Sequence, residues 1–152
     1  MNNRITPGEI VVMAAGGVAL IASFLPFYSI ENPFDGGDES FNAWSGDIPV
    51  LFPVATLIAI AAIAAAVLVA LNKFANMDLS AGILGFGFVQ LLMLLGFFST
   101  LVALAYLLQD KGTFDTGFGY WLMLLSAIAS LVGAILMRNE RAATAGPGPG
   151  TV

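Results

Sequence analysis

Four apolar segments fill most of this chain, at residues 9–30, 49–71, 81–108 and 119–137, and Glu9 is the one Asp, Glu, Lys or Arg within them. A helix rises about 1.5 Å per residue and a bilayer's hydrocarbon core is about 30 Å thick, so each segment is about long enough to cross. A soluble helix of that length needs a polar face, and none of the four has one. The sequence therefore predicts an all-α membrane protein: a four-transmembrane-helix bundle within residues 1–137, followed by a flexible cytoplasmic tail at 138–152.

The remaining composition narrows function mainly by exclusion. With 59% hydrophobic and 10% charged residues, the chain belongs to the membrane class, and the loops between the segments are too short for a soluble catalytic domain. A net charge of −5 predicts no basic surface for nucleic acid or for anionic lipid. Absence of Cys and His removes thiol chemistry, thiolate or imidazole metal ligation and the usual neutral-pH general base. The N-terminal run is longer than a signal-peptide core and lacks an Ala-x-Ala-like exit, so a retained first helix is expected.

Charge sets the expected orientation. Arg4, Lys73, Arg138 and Arg141 share one side of a four-span topology, and Lys111 lies on the other, so both termini are expected in the cytoplasm. The opposite side carries the 31–48 loop, with five acids (Glu31, Asp35, Asp38, Glu39, Asp47) and no base. Tyr28, Trp44, Tyr106, Tyr120 and Trp121 also cluster on that outer side. They read as an interfacial belt, or as part of a small cap made by the two outer loops.

Local chemistry supplies the segment ends. Pro49 and Pro53 suit the first turns of the second span. Pro26, inside the first, is expected to kink it, and Asp78 or Ser80 is expected to cap the third after a tight 72–79 link. The Gly146-Pro147-Gly148-Pro149-Gly150 run is expected to be flexible.

Small residues mark the expected packing faces. Ser126, Ala129, Ser130, Gly133 and Ala134 recur at helical spacing in the fourth span, as do Ala55, Ala59, Ala62 and Ala66 in the second, while the third carries Gly82, Gly85, Gly87 and Gly96. Such rows let backbones approach, a main source of attraction between helices in lipid. They serve either the bundle itself or a partner's helices. Gln90 is read as the one strongly polar side chain at mid-depth, joining helices by a hydrogen bond or, in a transporter, lining a path. Glu9 reads as serving the first helix's N-terminus. Asp35-Gly36-Gly37-Asp38-Glu39 lacks the spaced ligand series of a calcium loop and reads as solvated charge, so no metal or cofactor is expected.

Phe24-Leu25-Pro26-Phe27-Tyr28-Ser29, Asn42-Ala43-Trp44 and Gly119-Tyr120-Trp121 resemble motifs of small four-span membrane proteins of actinobacteria, with Phe27 standing where Trp is commoner. The resemblance implies topology and a plasma-membrane address. It brings no activity and no functional residues. The leading expectation is a non-enzymatic accessory or scaffold protein packing against other integral membrane proteins or itself through Ser126, Ala129, Ser130 and Gly133, with membrane lipid around it. A small transporter or channel using Pro26 and Gln90 is the alternative, and an enzyme using Asp35, Asp38 and Asp47 is the third.

Overall fold

The computed structural model describes residues 5–31, 37–46, 54–75, 77, 79, 82–83, 85–110 and 114–145. Four helices account for most of them: α1 (Pro7–Ala22), α2 (Val54–Phe74), α3 (Phe88–Leu108) and α4 (Phe118–Ala145). Three of these, α2, α3 and α4, are long and apolar enough to cross a membrane. The helices run alternately up and down in a ring, each packed on its two sequence neighbours, with α1 closing against α4 and α2 approaching α4 across the centre.

Three strands, β1 (Tyr28–Glu31), β2 (Asp38–Phe41) and β3 (Phe114–Thr116), form an antiparallel sheet ordered β2-β1-β3 at one end of the bundle. The all-α expectation is corrected here, because residues 28–31 leave the helical run. The reason is Pro26: it lacks an N–H, and α1 closes at Ser23, whose amide donates to Ala19 at 2.9 Å. Pro26 stands outside the helix, so it does not kink it. Its carbonyl accepts the Gly119 amide at 2.8 Å, and Gly117 donates to Phe27 at 2.8 Å, which fastens the start of α4 to the end of α1. The sheet thus joins the two inter-helix connections that the sequence placed on one side.

At the other end, α1 begins with Pro7 at its first position and Thr6 as its cap. The Glu9 amide donates to Thr6 Oγ1 and the Thr6 amide to Glu9 Oε2 at 2.8 Å, a reciprocal capping box. Glu9 therefore holds the place expected of it. The start of α3 is later than expected, at Phe88, because Gly82 (φ 86°) and Gly85 (φ 83°) adopt left-handed backbone around the Ile83–Phe86 turn. Gly82, Gly85 and Gly87 consequently belong to the connection and not to a packing face. Helix α4 runs eight residues past Met137, so residues 138–145 are helical where a flexible tail was expected. Arg141 lies over the Phe88 ring at 5.5 Å and Glu140 accepts the Gly8 amide at 3.1 Å, which ties this extension to the bundle. Pro49, Pro53, Asp78, Ser80 and the 146–152 run lie outside the described residues.

Many of the buried positions are alanine, and many large aliphatic side chains face outward. Ala19, Ala22, Ala59, Ala65, Ala103, Ala127 and Ala134 are buried, while Leu57, Ile60, Val67, Leu94, Phe97, Leu125 and Ile128 are exposed. Water would drive the opposite sorting, because burying a large apolar side chain gains about 1.5–3 kcal/mol. Small inside and large outside is the sorting expected of helices whose solvent is hydrocarbon.

Candidate functional site: the helix-packing faces

The row singled out in the fourth span separates into two faces once it is placed. Gly133 turns inward against α1, where an added Cβ would stand 2.7 Å from Val12 Cγ2 and 3.0 Å from the Gly8 carbonyl oxygen. Ser126 is buried and donates its hydroxyl to the Ala15 carbonyl of α1. That bond satisfies a hydroxyl that lipid could not. Ser130 is fully buried as well, with no hydrogen-bond partner for Oγ among the described residues. Ala129 alone of the four is half-exposed, lining a shallow groove between α1 and α4 with Ala14, Val18 and Leu125. So Ser126, Ser130 and Gly133 serve the bundle itself, and Ala129 faces outward.

Two further close approaches repeat the device. A Cβ on Gly16 would collide with Ala66 of α2, and one on Gly96 would stand 2.7 Å from Leu131 Cα of α4. Gly17 differs, because a Cβ there would meet nothing within 4 Å. Gly17 follows Ala14 on the outward row of α1 that Ile10 and Ile21 complete, and both small residues are exposed. Together they leave a notch in the middle of α1. The corresponding exposed positions of α2 and α4 carry Leu57, Ile60, Val67, Leu125, Ile128 and Val132.

Gln90 occupies the first turn of α3, not its middle, and is exposed. Its Oε1 accepts the Gly87 amide at 3.0 Å and so caps the helix. The residue is not at mid-span, because the glycine turn delays the start of the helix to Phe88. Gln90 and Pro26 lie at opposite ends of the bundle. Gln90 instead borders a groove of about 650 Å³ between α3 and α4, lined by Phe86, Met93, Leu94, Phe97, Leu131 and Ile135.

Sequence reasoning missed the aromatic plug beneath the sheet. Tyr28, Tyr106 and Tyr120 are each 1% exposed or less, so they do not form a belt facing the headgroup layer. Phe27 sits among them, with ring centroids 5.0–5.8 Å away and steep interplanar angles, and Tyr120 donates its hydroxyl to the Ala103 carbonyl at 2.9 Å. Only Trp44 and Trp121 of the five polar aromatics keep exposed rings. Trp44 donates from Nε1 to Ser23 Oγ at 2.9 Å, and Thr56 donates to the Ala43 carbonyl at 2.6 Å, so the 41–46 segment is docked on α1 and α2. The usable signal was the crowding of Phe27, Tyr28, Tyr106 and Tyr120 at one end of the helices.

A charged cluster closes the opposite end. Lys73 Nζ stands 3.1 Å from Glu9 Oε2, joining the end of α2 to the start of α1. Glu9, Glu140, Thr6, Arg141 and Thr144 border a small cavity of about 130 Å³ beside it. Among the described residues no group of three His, Cys, Asp or Glu is placed to hold a metal ion. Asp35 and Asp47, two of the three acids considered for an enzyme, lie outside the described residues. No protein-family model matches the chain, and no curated protein matches it.

Proposed function

We propose that the chain is a non-enzymatic integral membrane accessory protein that packs against the helices of another membrane protein or of a second copy of itself. In this reading all four helices are embedded in the plasma membrane, with both chain ends cytoplasmic and the sheet outside. Helix α1, at 16 residues, reaches across with the help of the turn that follows it. The observation that carries the reading is the notch at Ala14 and Gly17, bordered by the α1–α4 groove where Ala129 lies. Small residues on an inward face serve the bundle. On an outward face they leave close-contact surface for a helix from elsewhere. The four-to-one split of basic residues supports the orientation.

The test uses a photocrosslinking residue at Val18, beside the notch, compared with one at Leu101 on α3. The proposal expects a discrete crosslinked species from the first position only, and its loss in Gly17→Leu. Because a Cβ at Gly17 would meet nothing within 4 Å, that variant should keep the wild-type melting temperature. Crosslinks absent at Val18, or unchanged in Gly17→Leu, would count against the proposal.

A further inference from the structure

The α3–α4 groove is a different surface, and its polarity changes along its length. Leu94 and Phe97 from α3 face Leu131 and Ile135 from α4 over an apolar floor, and three of these are at least 40% exposed (Leu94, Phe97 and Ile135). Gln90 lies one turn before Leu94, at the end of the bundle where both chain ends emerge. With Oε1 engaged by Gly87, its Nε2 donates to no described residue. On α4, Arg138 follows Leu131 and Ile135 at helical spacing, which carries the same face one turn beyond the groove. Arg138 is exposed and forms no ion pair among the described residues. Gly96 of α3 lies against Leu131 of the antiparallel α4, so the Gln90 amide and the Arg138 guanidinium stand at about the same level, one on each helix, past the apolar floor.

We propose that this groove binds one anionic glycerophospholipid. An acyl chain lies between Leu94, Phe97, Leu131 and Ile135, an ester carbonyl accepts from Gln90 Nε2, and Arg138 meets the headgroup phosphate. The volume, about 650 Å³, is within the usual range for small-molecule sites. A phospholipid covers the apolar part with its acyl chain and, at the same end of the groove, brings acceptors to both the Gln90 amide and the Arg138 guanidinium. Basic residues at the membrane edge beside a groove between helices are a recurrent way of holding such headgroups. The inference requires embedding in a bilayer and does not depend on the accessory role, which uses the α1 flank.

Delipidated full-length protein in mild detergent, titrated with phosphatidylglycerol or with phosphatidylcholine of the same acyl chains and observed by native mass spectrometry, tests it. One phosphatidylglycerol should bind per chain in preference to phosphatidylcholine. Arg138→Gln, at an exposed position, should lower that preference by roughly fivefold, the effect of one basic residue near an anionic surface. Leu94→Trp should fill the groove and exclude both lipids, with the helical circular dichroism unchanged. Equal retention of the two lipids, or a preference untouched by Arg138→Gln, would overturn the proposal. So would displacement by inorganic phosphate alone, because the acyl chain would then contribute nothing, or a second copy crosslinked through Phe97 in place of lipid.

Discussion

Glu9 shows how one side chain can serve three elements. It closes the capping box of α1, receives the Lys73 ammonium from α2 and lies beside Glu140 and Arg141 of α4. Its side chain is 7% exposed and that of Lys73 16%, so water screens the pair poorly. Removing one partner leaves a charge with reduced solvation, which costs about 1–3 kcal/mol, while neutralising both avoids that penalty. Lys73→Met should therefore lower stability more than the double variant Glu9→Gln/Lys73→Met, measured by thermal unfolding in detergent. Equal loss in both would mean that the carboxylate is adequately solvated without Lys73. Gln90 makes a smaller contribution. Gln90→Leu loses one cap to an exposed amide and should cost about 0.5–1 kcal/mol in the same assay.

Helix packing turns on which glycines face another backbone. Gly133→Leu would force α1 and α4 apart at Gly8 and Val12, a clash of the kind that costs at least about 1–3 kcal/mol, whereas Gly17→Leu adds a side chain in open space and improves helix propensity. The melting temperature should fall clearly for the first and stay level or rise for the second. A similar fall in both would mean that Gly17 faces inward. Much of this was legible in the sequence: the apolar segments placed α2, α3 and α4, and helical spacing found the Ser126–Gly133 row. Spacing could not say which members of the row turn inward, because that depends on where α1 sits, and Ala129 consequently faces the other way. The end of α1 was hidden by the apolar character of Leu25, Phe27 and Ile30, which suit a strand as well as a helix. The glycines before Phe88 read as a packing surface because composition alone does not reveal a positive φ. Residues 138–145 read as a tail because their charge ends the apolar run, although Glu140 and Arg141 hold them in the helix.

At the scale of the whole molecule, the two ends of the bundle are closed differently. The sheet end is shut by the Phe27, Tyr28, Tyr106 and Tyr120 rings, and the other by a capping box, an ion pair and the extension of α4. Between them alanine, serine and glycine bring the helices to close range around Val12, Ile58, Val69 and Leu92, which suits a rigid body that presents its outer faces. The central claim is that these helices cross a bilayer with the sheet on one side and both chain ends on the other. Because the chain has no cysteine, single cysteines report position without background. The decisive measurement is labelling of Ser40→Cys, Ile60→Cys and Thr144→Cys in intact cells and after lysis with a membrane-impermeant thiol reagent, in spheroplasts if an outer layer blocks access. Ser40 and Thr144 are exposed at opposite ends, and Ile60 is half-exposed on the flank of α2. Labelling is expected at Ser40→Cys in intact cells, at Thr144→Cys only after lysis, and at Ile60→Cys in neither. Reaction of Thr144→Cys in intact cells, or free reaction of Ile60→Cys with the fold preserved, would contradict it.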